Sequence, residues 1–411
     1  ASQPPQHSAA AAAIAAEVAR STAAGRAQAA AALSRADGGP WRSRPRAADG
    51  PTLAVAAKRS DDGDSGLWVF TDAVVTPHGN IDKHNKTLNR HYQGCQPLTW
   101  RRDLDDDVCG LRQGGRHKCA GPAETLVVLS QGYAHYYYHY VAELLPRIVY
   151  VREARPELLS DHRTRFHVQV GTGPSPDAFH AWARMLGIQT HAGPGSRLVG
   201  GCWRAATVIW PKTGGCCEHD AYAVTSMNSL LRSAMASRGP AAAAPAVGAG
   251  ALGTAGAGAA STAGTRPRPR ALLLRRSKTR VLRNFDLVLF GITMAGWDVT
   301  VHSDLEEMDI PTQCSMFYQA NLIVGVKGAG LTNMLCARPG TPVVEIQASA
   351  FDDGCLAMER LASALGMPYF SVETKAPYSL AFNGTGTVNA TAVHAVAAMF
   401  RPLGEALGPA A

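Results

Sequence analysis

The chain has 411 residues, which is well above the about 100–200 residues of one ordinary domain, so we expect two domains and some irregular segments. Apolar residues make up 46% and charged residues 18%, which excludes a wholly disordered protein. The net charge of +8 comes from two basic blocks, residues 1–60 and Arg266–Arg283, while the rest is mildly acidic. This clustering argues against a broad basic face and against a nucleic-acid partner.

The first half of the chain is predicted to be a stem followed by an α/β domain. Residues 1–50 are rich in alanine, arginine, glycine and proline and have no apolar stripe that could dock, so we expect a flexible stem. Over residues 51–238, predicted strands alternate with predicted helices, which favours a doubly wound parallel sheet. The strands are expected at 67–76, 124–130, 165–171 and 206–210, and the helices at 135–154 and 177–188.

A second α/β domain is predicted after a linker. Residues 239–270 are rich in alanine, glycine and proline, and a flexible linker can lengthen at little entropic cost. From residue 271 to 411 the alternation resumes, with strands expected at 271–277, 298–303, 321–326, 341–346 and 368–372. The sequence therefore predicts two facing Rossmann-like domains, the outline of a nucleotide-sugar transferase or of a periplasmic-type binding protein.

The cysteines and asparagines indicate the secretory pathway. Nine cysteines are too few for a disulfide-built scaffold and enough for a few bridges. Asn-x-Thr triplets at Asn85, Asn383 and Asn389 fit the same compartment. No run approaches the about 20 apolar residues of a membrane helix, so we expect membrane attachment only through an anchor outside this chain.

Cysteine spacing gives a pairing prediction and little support for a metal. We expect Cys109 to pair with Cys119, and Cys216 or Cys217 to have a disulfide partner. Two adjacent cysteines fit a tetrahedral site badly, and no C-x-x-C pair occurs in the sequence. We therefore predict that no metal is required.

A glycine-rich turn is the sharpest signal in the chain. A buried strand, Asn321–Val326, runs into Lys327, Gly328, Ala329 and Gly330, and a helix is expected to begin at Leu331, Thr332 and Asn333. Glycines let the backbone approach a ligand, and the first N–H groups of a helix suit a diphosphate. Glu345, expected at the carboxyl end of the next strand, could accept from ribose hydroxyls. The structural alternatives are a tight strand-to-helix turn and a capped carboxylate.

At this point the sequence resembles glycosyltransferase family 61. The resemblance rests on the GAGLTN element with the segments before and after it, on Gly132–Arg147 (GYAHYYYHYVAELLPR), and on Arg275–Asn284 (RRSKTRVLRN). These blocks follow the family's order over about residues 120–400. The family includes plant xylosyl- and arabinosyltransferases and animal O-linked GlcNAc transferases of the secretory pathway.

The resemblance implies a GT-B-type, inverting glycosyltransferase. It would move xylose, arabinose or GlcNAc from a UDP-sugar to a hydroxyl of a glycan or glycoprotein, without a cofactor. It would act in the Golgi or endoplasmic reticulum lumen, as the luminal part of a type II membrane protein. The donor would lie against the glycine-rich turn and its helix start, Glu345, and three residues of the basic block, Arg275, Arg280 and Asn284.

The resemblance also changes the interpretation of the first-domain helix. His139 and Glu143 are four residues apart, on one helix face, and Pro146 is expected to kink or end the helix. On these residues alone, a surface ion pair or a buried histidine is the favoured interpretation. With the resemblance, His139 becomes the expected general base, Glu143 the alternative base, and Arg147 and His135 acceptor-side residues.

One residue departs from the family pattern. Family members usually have histidine where this chain has Lys327. A lysine can contact a diphosphate as a point charge, but it is not a neutral imidazole at pH 7. The alternative function is therefore a non-catalytic protein that binds a nucleotide sugar or a glycan on the same scaffold.

Overall fold

The computed structural model describes twelve stretches of the chain. They are residues 67–75, 81–83, 86–87, 119–130, 136–168, 176–191, 194–211, 219–237, 268–303, 308–348, 356–374 and 385–409. The predicted stem, most of the predicted linker, Cys109, Cys216 and Cys217 lie outside these residues. The predicted domain boundaries therefore remain predictions.

The first half builds a seven-stranded mixed sheet. Its strands are β1 (Leu67–Val75), β2 (Ile81–Lys83), β3 (Lys86–Thr87), β4 (Ala120–Val128), β5 (Thr164–His167), β6 (Leu198–Val199) and β7 (Trp203–Pro211), in the order β3-β2-β1-β7-β4-β5-β6. Strands β7, β4, β5 and β6 are parallel, as predicted. The expectation of a wholly parallel sheet is wrong at one edge: β1 to β3 follow one another through short connections and pair antiparallel, and β1 also runs antiparallel to β7.

Pro146 changes the helix that follows β4 without ending it. A π-helical turn (His139–Leu144) and a 3-10 turn (Leu145–Arg147) lead into α1 (Ile148–Ala154). Proline has no N–H to donate, and the wide turn before it is closed by the N–H of Leu145 donating to the carbonyl of Tyr140. The other helices of this half are α2 (Glu157–Ser160), α3 (Pro176–Met185) and α4 (Ala221–Ala236).

The second half builds a five-stranded, all-parallel sheet. Its strands are β8 (Arg270–Arg275), β10 (Asp298–Ser303), β11 (Leu322–Val326), β12 (Val343–Ala348) and β13 (Tyr369–Thr374), in the order β10-β8-β11-β12-β13. The order reverses between β8 and β11, and such a switch point opens a crevice at the carboxyl ends of the strands. A separate parallel pair joins β9 (Val281–Leu282) to β14 (Thr385–Gly386).

Helices follow the strands of the second half, as its alternation predicts. Next to the switch point, β11 leads into a 3-10 segment, Ala329–Cys336, instead of the α-helix expected from Leu331. The α-helices are α5 (Phe285–Met294), α6 (Ile310–Gln319), α7 (Ala357–Ala364) and α8 (Ala390–Leu407).

The second sheet buries both faces. Alternate residues of a strand point to opposite faces, so Leu272 and Leu274 of β8 join one core cluster and Leu273 joins another. The first of these clusters also contains buried side chains of the first half, such as Tyr140 and Met227. The two halves therefore share a continuous apolar core, and the α/β class predicted from the sequence is confirmed.

Two disulfides are described. Cys119 bonds to Cys202, 83 residues further along, so the prediction that it pairs with Cys109 is wrong. The reason lies in the sheet register: β4 and β7 pair with Ala120 opposite Trp203, which places the residues before them side by side. The second disulfide, Cys314–Cys336, ties α6 to the end of the 3-10 segment. Within the described stretches, no helix has the length and apolar composition to cross a bilayer.

Candidate active site

The glycine-rich turn after β11 lies against the residues that follow β8. Nη1 of Arg280 donates to the carbonyl of Lys327 at 2.7 Å. The guanidinium of Arg276 packs on Gly328, where an added Cβ would lie 1.9 Å from its Nη1. Gly328 is buried and its backbone is extended, so a Cβ at this position would displace the guanidinium of Arg276. Two arginines and a lysine thus gather at the switch point of the sheet.

Arg280 has an unusual backbone conformation. Its φ is +54°, in the left-handed region that side-chain-bearing residues seldom adopt. Strain of this kind persists only where the surrounding structure holds it, and it clusters at functional sites. The strained residue is thus one of the two arginines whose side chains reach the glycine-rich turn.

Two other residues of the basic block do not join this cluster through the contacts described. Arg275 is exposed, and its guanidinium carbon lies 5.0 Å from the ring centre of Phe285. The side chain of Asn284 donates to the carbonyl of Val388 at 2.7 Å and accepts from its N–H at 3.1 Å. Arg276, which the sequence analysis did not single out, contacts the glycine-rich turn instead. Because Arg275 and Arg276 are adjacent and identical, the sequence alone does not indicate which of them faces this turn.

Only the first turn of the 3-10 segment is open. Ala329 and Gly330 are half-buried, whereas Leu331, Thr332 and Asn333 are buried. Nδ2 of Asn333 donates to Gln313 at 2.7 Å, and its Oδ1 accepts from the hydroxyl of Tyr137 at 2.6 Å. Of the residues predicted to bind the donor in this segment, Lys327, Ala329 and Gly330 are therefore the ones that are partly exposed.

Glu345 lies in the middle of β12, which differs from its expected place at the end of the strand. It is the third of six strand residues, 2% exposed, and it accepts a hydrogen bond from the hydroxyl of Tyr369. Burial, with the nearby carboxylate, raises the pKa of Tyr369, so this hydroxyl keeps its proton and donates. Like Val343, Glu345 faces the core that the two halves share.

The structure brings His139 and Glu143 together. Nδ1 of His139 lies 2.8 Å from Oε2 of Glu143. The Glu143 side chain is 2% exposed and that of His139 is 20% exposed. A carboxylate can only accept, so Nδ1 carries the hydrogen and the lone pair of the neutral ring is on Nε2. This is an imidazole with an orienting acid behind it.

A second histidine, missed by the sequence analysis, lies beside this pair. The hydroxyl of Tyr138 is 3.0 Å from Nε2 of His219, and the same nitrogen is 3.3 Å from the carbonyl of Ala357. The ring of Tyr138 lies between the two histidines, 5.1 Å from that of His139 and 6.1 Å from that of His219. Burial lowers the pKa of His219, and the negative charge of Glu143 opposes that effect.

Tyr137 connects the block around His139 to the block around the glycine-rich turn through partly buried hydrogen bonds. Its hydroxyl accepts from Nε1 of Trp182 at 3.0 Å and donates to Asn333. Burial raises the pKa of Tyr137, so it remains a donor. The residue two places before His139 is thereby bonded to the segment that follows the glycine-rich turn.

The two residues predicted on the acceptor side, Arg147 and His135, do not form an open site in the described structure. Arg147 is completely buried, which was not expected of an acceptor-side residue. His135 lies outside the described residues. In the parts of the chain that the structure covers, no group of three or more His, Cys, Asp or Glu could hold a metal ion.

A family comparison now decides the class of the chain. The family model described as Glycosyltransferase 61 matches residues 137–344, half of the chain. The chain belongs to glycosyltransferase family 61. The match confirms the resemblance and the class of enzyme, a glycosyltransferase. It includes His139, Glu143, Arg280 and the whole glycine-rich turn, and it ends one residue before Glu345.

Individual proteins resemble this family 61 chain over shorter stretches. A beta-1,2-xylosyltransferase, XAX1, from Oryza sativa subsp. japonica is 35% identical over 79 residues, 19% of this chain. That stretch spans only 14% of the rice protein's length. An oxidoreductase structure from Corynebacterium diphtheriae matches 33% of this chain and 96% of its own at 14% identity, with a TM-score of 0.24.

Proposed function

We propose that the chain is an inverting glycosyltransferase that moves a sugar from a UDP-sugar to a hydroxyl group of a glycan or glycoprotein. The observation that carries this proposal is the hydrogen bond between His139 and buried Glu143, inside the family match. An imidazole held by a carboxylate is suited to remove a proton from an acceptor hydroxyl. Turnover is the property to test.

In this proposal His139 is the base. Its Nε2 takes the proton of the acceptor hydroxyl as that oxygen forms a bond to the anomeric carbon of the sugar. The bond from that carbon to the diphosphate oxygen breaks on the opposite face, so the configuration inverts and UDP leaves with the electron pair. Glu143 then stabilises the imidazolium through Nδ1. Glu143 as the base itself is the alternative.

The leaving diphosphate is proposed to bind at the switch point of the second sheet. Lys327, Arg280 and Arg276 supply positive charge there, and the open first turn of the 3-10 segment supplies backbone N–H groups. Two fixed arginines can stabilise the departing charge, which makes a metal ion unnecessary in the proposed mechanism. Glu345 could accept a hydrogen bond from a ribose hydroxyl only if its carboxylate also keeps, or gives up, the hydrogen bond from Tyr369.

His219 is proposed to position the base. It holds the hydroxyl of Tyr138, whose ring packs on His139, and it also contacts the carbonyl of Ala357 in the second half. A neutral His219 adds no positive charge beside the base. The acceptor-side turn is therefore tied to the donor half next to the reacting group.

The architecture and compartment follow from the same family assignment. We propose that the two halves are the two Rossmann-like domains of a GT-B transferase, with the donor on the second and the acceptor on the first. The two disulfides are consistent with a secretory-pathway lumen. We propose the Golgi or endoplasmic reticulum, with attachment as a type II membrane protein.

A pentose is the first candidate for the donor sugar. The short rice match is to a protein named as a beta-1,2-xylosyltransferase, so UDP-xylose leads the screen, followed by UDP-arabinose and UDP-GlcNAc. A hydroxymethyl or acetamido group changes pocket fit by about 1–3 kcal/mol or more, so one donor should stand out.

The first experiment is a calorimetric titration of UDP into the full chain, with and without manganese, followed by the donor screen with mixed glycan acceptors. We expect binding near micromolar, about −8 kcal/mol, that does not depend on manganese. Release of UDP from one donor, only with an acceptor present, supports the transferase. UDP binding without release from any donor would favour the non-catalytic alternative, which the intact pair and the family match do not favour.

A further inference from the structure

Helix α8 begins at an asparagine that belongs to one of the Asn-x-Thr triplets. Asn389, Ala390 and Thr391 form the triplet, and the helix runs from Ala390 to Leu407. Oδ1 of Asn389 accepts from the N–H of Thr391 at 3.1 Å and from that of Ala392 at 3.3 Å. The asparagine is therefore the N-terminal cap of the helix through its amide oxygen.

The cap uses one atom of the side-chain amide and N-glycosylation uses the other. Among the described residues, the hydrogen bonds of the Asn389 side chain all go to Oδ1, and the residue is exposed. A glycan attached at Nδ2 leaves the planar amide and its oxygen in place, so capping and modification are compatible. Ala390 at the middle position also satisfies the requirement that this residue is not proline.

The disulfides give independent support for the compartment where this modification occurs. Cys119–Cys202 and Cys314–Cys336 connect segments 83 and 22 residues apart. Such bonds form and persist in oxidising compartments such as the endoplasmic reticulum lumen. A chain that folds there meets the N-glycosylation machinery before it is complete.

We propose that Asn389 carries an N-linked oligosaccharide. The co-reactant is a lipid-linked oligosaccharide diphosphate, together with the host transferase that uses it. Nδ2 forms a bond to the anomeric carbon, the bond from that carbon to the diphosphate oxygen breaks, and the diphosphate leaves with the electron pair. The proton lost from Nδ2 passes to a base of that host enzyme. No oxidation or reduction takes place.

The modified side chain would stand beside a structural contact of the donor half. Val388, the preceding residue, is held by both amide atoms of Asn284. Thr385 and Gly386 pair with β9, which directly follows Arg280. These contacts lie directly before the N-terminal cap of α8. An oligosaccharide on Nδ2 leaves Oδ1 free to cap the helix, so it is compatible with them.

The test uses the full chain expressed through a eukaryotic secretory pathway, with both medium and cell lysate analysed. Peptide-N-glycosidase converts a glycosylated asparagine to aspartate, and when the reaction is run in 18O-labelled water, fragment-ion mass spectrometry of the peptide assigns the labelled conversion to Asn389 or to the nearby Asn383. We expect the peptide containing Asn389 to carry the conversion, and the intact chain to lose mass on treatment. Recovery of this peptide wholly unmodified, from a chain with both disulfides formed, would overturn the proposal.

Matched variants separate loss of the site from loss of the helix cap. Asn389→Asp keeps a capping oxygen but has no Nδ2, and Thr391→Val keeps the asparagine but removes the hydroxyl of the triplet. Both should lose the glycan at this peptide, whereas Thr391→Ser should retain it. In the untreated Asn389→Asp peptide the glycan mass should be absent, and an undiminished glycan mass on that peptide would overturn the proposal. The result does not depend on transferase activity, so the two proposals can fail separately.

Discussion

The π-helical turn that contains His139 and the glycine-rich turn that contains Lys327 both carry polar groups, but they are held differently. His139 is oriented by Glu143, four residues along the same turn. The loop at Lys327 is held by Arg280, 47 residues earlier in the chain, across two neighbouring strands. The first site therefore depends on one local pair, whereas the second depends on how the sheet is assembled.

This difference gives opposite expectations for mutation. At the acceptor-side turn, one side chain should account for most of the chemistry, with little effect on donor binding. At the glycine-rich turn, several cations are proposed to share the diphosphate, so each should contribute a moderate part of the donor affinity. Substitutions at the two turns should therefore separate the loss of turnover from the loss of donor affinity.

The largest effect is expected for His139→Ala. Loss of a general base lowers turnover by about 10²–10⁴-fold, and UDP affinity should stay nearly unchanged because the donor binds elsewhere. Turnover and calorimetric UDP titration on the same preparation check this. The matched control is His162→Ala, an exposed histidine with 91% of its side chain accessible, which should behave as wild type. A wild-type rate in His139→Ala would remove this residue from the mechanism.

The next effect is expected for Arg280→Ala. This change removes a charged hydrogen-bond donor and its contact with Lys327, so UDP binding should weaken by about 1.5–3 kcal/mol. Calorimetry measures the change, and thermal unfolding reports the stability lost with the contact, since alanine is as strained as arginine at this positive φ. Arg283→Ala is the control, since Arg283 is exposed and bonds to Thr385. A loss below about 0.5 kcal/mol would assign Arg280 to the loop alone.

The same contrast explains which parts of the molecule could be predicted from the sequence. Periodicity and i,i+4 spacing report local structure, so most strands, the α/β class and the proximity of His139 to Glu143 could be expected. The presence of polar groups at the carboxyl end of β11 could also be predicted, because parallel strands bring their carboxyl ends to one edge of the sheet.

The pairing of strands that are far apart in the sequence could not be predicted from local patterns. The bond between Cys119 and Cys202 depends on the pairing of β4 with β7, which no local pattern encodes. Helix α4 was not predicted, since its alanines and serines give a weak apolar pattern, yet Asp220 caps it and Asn228 binds the carbonyls of Leu335 and Ala337. His219 was likewise hidden, because 80 residues separate it from His139.

A smaller effect is expected from pH, through His219. Burial lowers its pKa in the folded chain, so below the ordinary value of about 6.5 the unfolded chain binds more protons than the folded one. The free energy of unfolding should therefore fall as pH drops from 7 to 5, by at most about 1.4 kcal/mol per pH unit for this group. Denaturant titrations at several pH values measure the slope.

His180 must be separated from this effect, because burial lowers its pKa too. In His219→Gln the slope should become shallower, since the amide cannot titrate, while the slope due to His180 remains. In His180→Gln the part due to His219 should remain. An identical slope in His219→Gln and wild type would contradict a lowered pKa for His219 in the folded chain.

The smallest effect is expected for Arg275→Ala, and it decides whether the basic block acts as a unit. The guanidinium of Arg275 stacks on Phe285 at an exposed position, which is worth about 0.5–1 kcal/mol of stability. UDP affinity should then change by less than about 0.5 kcal/mol, in contrast to Arg276→Ala, whose side chain packs on Gly328. Calorimetry on the two neighbours compares equal charge losses at adjacent positions. Equal losses of affinity would show that diffuse charge, rather than the contact with the glycine-rich turn, binds the diphosphate.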